Sequence, residues 1–167
     1  MTPVVAETFR LRPALSSDCE RVLEWRNLPE IVALGAEQRE WLEHDLKGKS
    51  ASTPIVVLGH FPLWSVYPDW GWGTDDAAPA MAYLKRFGSV TVLNGHIHQV
   101  IQKVEGNITF HTAYSTAFPQ AAPGTPGASP GPLKVSADKL KSMLGLRHVE
   151  IVYDKPALLQ DSTLEDA

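Results

Sequence analysis

The sequence predicts an α/β fold, a mixed sheet with flanking helices, and three observations carry that prediction. Two runs rich in β-branched residues, "TPIVVLGH" (53–60) and "SVTVLNGH" (89–96), are almost wholly apolar and stop at Gly-His, as buried strands of a layered sheet do. Stretches of helical spacing, "AEQREWLEHDLKGK" (36–49) and "AAPAMAYLKRFG" (77–88), precede each run. "QVIQKVEGNITFHTAY" (99–114) carries two alternating runs around Glu105-Gly106-Asn107, the pattern of a hairpin.

Taken in order, "ETFRLRPA" (7–14) alternates like a short strand that ends at Pro13. "SSDCERVLEWRN" (16–27) opens with cap-type residues, sets Val22, Leu23 and Trp25 at near-helical spacing, and is interrupted by Pro29. The helix over 36–49 is expected to turn Trp41, Leu42 and Leu46 to one side. The aromatic, Pro/Gly-rich "FPLWSVYPDWGWGTDD" (61–76) reads as a loop, and the helix over 77–88 ends at Gly88. "FPQAAPGTPGASPGP" (118–132) cannot form a regular element and reads as a surface loop. "VSADKLKSMLG" (135–145) predicts a serine-capped short helix stopped by Gly145, "RHVEIVYD" (147–154) a late strand, and "DSTLEDA" (161–167) a tail.

A chain of 167 residues suits one domain and is short for two. Its 44% apolar and 20% charged content is that of a globular protein with a core of its own. The formal charge of −4, without a long basic run, argues against a nucleic-acid surface. A single cysteine, Cys19, excludes an internal disulfide. The start, "MTPVVAETFRLRP", lacks the apolar core of a signal peptide, and no stretch reaches membrane-spanning length. No membrane partner and a cytoplasmic address are therefore expected.

The chemistry concentrates in histidines. Ligands of layered α/β proteins bind outside the carboxyl ends of the strands. His60 and His96 both fall there, each after a glycine that permits a sharp turn or a close approach. His98 follows two residues later, and in an extended segment that spacing turns both imidazoles of Gly-His-Ile-His to one side. Three imidazoles suit zinc and also iron, cobalt, nickel and copper. Asp69, Asp75 and Asp76 of the intervening loop are candidate oxygen ligands. His44 reads as a solvated helix residue, His148 as structural, and His111 as a structural or outer-shell residue. Trp64, Tyr67, Trp70 and Trp72 serve equally as an aromatic wall beside the site or as packing.

"PIVVLGHFPLW", then "VTVLNGHIHQ" and "NITFHTA", resembles the calcineurin-like metallophosphoesterases over about residues 37 to 164. The resemblance implies their layered fold in part, and metal ligation by His60, His96 and His98, with His60 and His96 on one metal and His98 on the other. The family's Asp-x-His, Gly-Asp and Gly-Asn-His motifs have no match, so the bridging carboxylate, an asparagine ligand and the catalytic histidine are lacking. The chain thus looks like the C-terminal half of such an enzyme. "TFRLRPALSSDCERVLEWRNLPEI" resembles the opening strand and helix of GNAT-type acetyltransferases, without that family's acetyl-CoA loop. The expected organisation is a GNAT-like strand-helix segment over 1–35 fused to a metallophosphoesterase half over 36–167, packed as one unit.

The function expected is metal-dependent hydrolysis of phosphoesters at a reduced site, with activated diesters favoured and a small-molecule phosphoester as substrate. One ion is expected rather than two, zinc first, with iron or manganese as alternatives. Asp75, Asp76 or a front-segment residue would then replace the missing carboxylates. The alternatives are a metal-binding remnant without catalysis and an oligomerising fusion, since a half-domain exposes sheet edges that invite pairing.

Overall fold

The computed structural model describes residues 35–151 and 157–166, all of them within one compact unit. The strand and helix expected over residues 7–27, and the packing expected of Val22, Leu23 and Trp25, lie outside the described residues. The described chain is mixed α/β. Helix α1 (Gly35–Leu46) leads to β1 (Ile55–Gly59), a 3-10 turn (Pro68–Trp70), α2 (Ala77–Leu84), β2 (Val90–Asn94), β3 (Gln102–Glu105) and β4 (Ile108–Thr112). Then come a short α3 (Ala137–Leu140), continued as a 3-10 turn, and the strands β5 (Gly145–Glu150) and β6 (Leu158–Thr163).

Four strands form a mixed sheet in the order β1-β2-β4-β3. β1, β2 and β4 run parallel, with Gly59 beside Asn94 and Asn94 beside Thr112. β3 folds back antiparallel on β4 through the Gly106-Asn107 turn, where Gly106 adopts φ 61°. This is the expected hairpin, and glycine supplies the left-handed conformation that such a tight turn requires.

The core lies between this sheet and the two longer helices. It collects Leu42 and Leu46 of α1, Ala80, Met81 and Leu84 of α2, Val90 and Val92 of β2, and Ile108 and Phe110 of β4. β2 is buried along most of its length, which explains its nearly unbroken apolar sequence. β1 departs from the expectation of a buried strand. It stands at the sheet edge among the described strands, only Ile55 is buried, and Leu58 is 78% exposed. Trp41 departs as well: Leu42 and Leu46, four apart, form the buried stripe, while Trp41 is 66% exposed. One residue step turns a helix by about 100°, enough to carry a neighbour off a narrow stripe.

Helix ends find partners across the fold. The Arg86 guanidinium donates to the carbonyls of Leu46 at 2.6 Å and Lys49 at 2.9 Å, serving groups left over at the end of α1. Arg39 of α1 pairs with Asp76, the residue that precedes α2.

The C-terminal strands form a two-stranded antiparallel sheet of their own, with Arg147 opposite Asp161. Residues 161–163 therefore belong to β6 and not to a tail. Gly145 opens β5 where a helix stop was expected. Its amide donates to Ser115 O at 3.1 Å. A Cβ at Gly145 would stand 2.9 Å from Tyr114 Cδ2 and would collide with the Ser162 carbonyl oxygen. Gly145→Ala is therefore expected to push β5 off β6 and to cost about 1–3 kcal/mol, the usual range for overpacking. A urea unfolding curve measures this, and an unchanged midpoint would contradict the contact.

Candidate functional site

The adjacent ends of β1 and β2 bring the two Gly-His steps together one residue out of step, since Gly59 pairs with Asn94. The Gly95 amide donates to His60 O at 3.0 Å. A Cβ on Gly95 would lie 3.4 Å from His60 Nδ1, so the glycine lets the imidazole lie close against the backbone. Asn94 Nδ2 donates to Gly59 O at 3.0 Å and Phe61 O at 2.9 Å, bracketing His60 from both sides. The His60 and His96 rings stand 5.3 Å apart, nearly perpendicular, and Phe61 packs against both.

The segment carrying His96 and His98 is not extended, contrary to the expectation from their spacing. His96 has φ 68° and His98 φ 51°, both left-handed, with Ile97 fully buried between them. Such a conformation costs roughly 1–2 kcal/mol for a residue with a side chain, and histidine is among those that tolerate it best. Strain of this kind persists where the surroundings hold it. Gln120 Nε2 donates to His96 O at 2.9 Å. Gln99 Nε2 donates to Gln120 O at 2.5 Å. The buried Thr112 hydroxyl donates to Gln99 O at 2.5 Å and accepts from the Ile101 amide at 3.0 Å. His98 Nδ1 lies 2.7 Å from Phe118 O, so the ring donates from Nδ1 to that carbonyl and keeps its lone pair on Nε2.

His60, His96 and His98 line one open cavity of about 330 Å³, together with Gly95, residues 113–116, Gly145, Leu146 and Arg147. No carboxylate lines it among the described residues. Asp76 is engaged by Arg39, and Asp69 and Asp75 are exposed in the 61–76 loop, so the oxygen ligands expected from that loop do not reach the cavity. Among the described residues, no three His, Cys, Asp or Glu side chains already stand as a metal-binding group. The three imidazoles share a cavity without closing on one point.

The aromatic loop serves packing. Trp64 and Trp72 are buried, Trp64 lies 5.0 Å from Phe110 ring to ring, and Tyr67, Trp70 and Trp72 meet edge to face in succession, outside the cavity lining. His44 is exposed on α1, and His148 is exposed on β5 opposite Gln160. His111 of β4 lines a neighbouring cavity and not this one.

Burial lowers the pKa of His60 below its ordinary 6.5, since its ring packs on Phe61, Gly95 and His96 even though its outer edge is exposed. His98 is lowered chiefly by burial and further by the charge of His60, against the hydrogen bond to Phe118, which raises it. Both rings are thus neutral bases at pH 7. The folded state resists protonating them, so their contribution to stability is full above about pH 6.5 and is lost as the pH falls through the lowered folded values. Imidazole C–H resonances of the metal-free protein are expected to titrate with both midpoints below 6.5; a midpoint above that for either ring would contradict the burial.

Sequence reasoning missed Asn94, Gln120 and Phe118, the groups that hold the histidines in place. Asn94 left a signal, being the amide that closes a largely apolar run. Pro119, Gln120 and Ala121 are buried, so the 118–132 segment begins inside the protein and is a surface loop only further on.

No protein-family model matches the chain, and no curated protein matches it.

Proposed function

We propose that the chain is a partial calcineurin-like metallophosphoesterase fold whose His60, His96 and His98 hold one divalent transition metal, zinc first, for the hydrolysis of phosphoesters. The observation that carries this reading is the pairing of two parallel strands that each end in Gly-His and open on the same cavity as His98. Three imidazoles are a donor set of the right chemistry for such an ion, and binding would require the rings to close further on one point. His60 and His98 have depressed pKa values and are neutral at pH 7, and His98 is held through Nδ1 with Nε2 left as donor, the way ligating histidines are oriented.

His60, His96 and His98 would hold the zinc ion, which would supply Lewis-acid charge for phosphoester hydrolysis. The protein's own part is positioning. Asn94 and Gly95 fix His60, Gln120 fixes the His96 backbone, and Phe118 fixes the His98 ring. With no carboxylate in the described lining to bridge a second ion, one ion suits the cavity better than two.

That same lack favours a second reading, a metal-binding remnant without turnover. The two readings separate in one experiment: zinc content per chain measured alongside hydrolysis of activated phosphate mono-, di- and triesters. About one zinc per chain with chelator-sensitive turnover supports the enzyme. Zinc without turnover supports the remnant, and a chain that takes up no zinc overturns both.

A further inference from the structure

We propose that the loop over residues 119–133 is a latch on the histidine site, with Gln120 as its positioning residue. The closed neck of the loop holds His96 and His98 ready for an ion, and the ion in turn tightens the neck. The inference rests on the reading of the histidine cavity as a metal site. The two ends of the loop meet: Gln120 bridges antiparallel to Pro132, and the Leu133 amide donates to Pro119 O at 2.8 Å. Compact loops closed at the base in this way frequently serve function. The tip is mostly exposed and makes its own turns, with the Thr125 amide on Ala122 O, the Ala128 amide on Thr125 O, and Gly124 and Gly127 both at φ 74°. The neck differs, since Pro119, Gln120 and Ala121 are buried.

Three hydrogen bonds join the neck to the histidine segment. Gln120 Nε2 donates to His96 O at 2.9 Å, Gln99 Nε2 donates back to Gln120 O at 2.5 Å, and His98 Nδ1 donates to Phe118 O at 2.7 Å. The two glutamines thus clasp each other's stretch of chain. What they clasp is the segment with φ 68° at His96 and 51° at His98, a backbone that side-chain-bearing residues leave unless their surroundings hold them. The plain alternative is that Gln120 only fills space. Its Oε1, however, is buried and meets no donor among the described residues. An apolar side chain of the same length would fill that space without burying an unpaired acceptor. The carboxamide is therefore explained by its other half, the Nε2 donor spent on His96 O. Because the same neck residues close the loop and hold the histidines, whatever fixes one fixes the other, and coupling of this kind is reciprocal.

The test uses the full chain with zinc ion as probe, followed by NMR. The key variant is Gln120→Met, which keeps the length of the side chain and loses the donor. In zinc-free protein the His98 Nδ1–H proton should exchange with water about 5-fold faster or more in this variant than in the wild type, since Phe118 lies in the neck that Gln120 holds. Zinc affinity should fall about 10–100-fold, the usual cost of losing a group that orients a ligand. Zinc should slow exchange of the Leu133 amide by about 5-fold or more in the wild type and should not do so in Gln120→Met. A glutamine that only packs would shift the urea midpoint and leave zinc affinity and the Leu133 response as they are. If Gln120→Met does not fold, Gln99→Met opens the other half of the clasp and should move each reading the same way. Thr125→Ala removes a contact of the tip, Thr125 Oγ1 to Ala122 O at 2.8 Å, and should move none of them. Wild-type zinc affinity in the glutamine variant, or a Leu133 amide indifferent to zinc in a wild type that binds it, would overturn the proposal. A wild type that takes up no zinc would sink the metal reading, and the zinc-free comparison then decides the latch: unchanged exchange of the His98 proton in the variant overturns it, and faster exchange upholds Gln120 as the residue that positions His98.

Discussion

Alanine at His98 is expected to lower zinc affinity by more than about 100-fold, beyond what loss of a supporting outer residue costs, and to take hydrolysis of an activated phosphodiester down with it. His98 is the best prepared of the three imidazoles. Its Nδ1 is committed to Phe118 O, its ring packs 4.5 Å from the Phe118 ring, and burial keeps it neutral. His96→Ala should have a similar effect on metal and rate. It has an informative companion in His96→Gly. The backbone at residue 96 sits at φ 68°, which glycine adopts without penalty. The glycine variant should therefore be more stable than the alanine variant by about 1 kcal/mol while binding zinc no better. That split separates the backbone role of the position from its imidazole. His148→Ala, on an exposed strand position outside the cavity, should leave zinc content unchanged. Zinc content near the wild type in both His96→Ala and His98→Ala would show that these residues do not hold the ion, whatever the activity.

The two strands at the heart of the site could be read from sequence because each is an apolar run that stops at Gly-His. Burial on both faces accounts for the apolar run of β2 but not for that of β1, which stands at the sheet edge, and the Gly-His step marks where each run stops. The hairpin after them was equally plain, since Gly106 is needed at its turn. The contacts that aim the histidines were hidden for a physical reason. Gln120 and Phe118 reach residues 96 and 98 across more than twenty positions of chain or close to it, through backbone carbonyls and amides whose availability no side-chain pattern reveals. Strand β6 was missed because "LLQDST" has few β-branched residues and none of its residues is buried, so its pairing with β5 leaves little alternation to detect. The left-handed backbone at His96 and His98 was equally invisible, because glycine or asparagine normally signals it. Histidine in both places sets a side-chain requirement against the preference of the backbone, and such conflicts gather at functional sites.

Phe110→Ala is expected to cost about 3–5 kcal/mol, a large share of the roughly 5–15 kcal/mol that holds a typical domain together. Phe110 is fully buried at the middle of β4, on the face shared with the buried Ile108 and Thr112. Its ring meets Trp64, which belongs to the loop leaving His60, and Lys103 Nζ lies 5.6 Å from the ring centroid. Truncation would open a cavity that β2 and β4, fixed in register along five residue pairs, could not close by collapsing. The damage should also reach the site. Trp64 would lose the surface that fixes the 61–76 loop behind His60, and Thr112, next on the same face, would hold Gln99 and Ile101 less firmly. Leu58→Ala is the control: it removes as apolar a side chain from the edge strand where Leu58 is 78% exposed, and it should change stability by no more than about 0.5 kcal/mol. Urea unfolding of both variants, with zinc content measured in parallel, gives the comparison. Similar small losses in the two would mean that the apolar layer between β4 and the loop does not hold the fold together, and the support ascribed to His60 would fall with it.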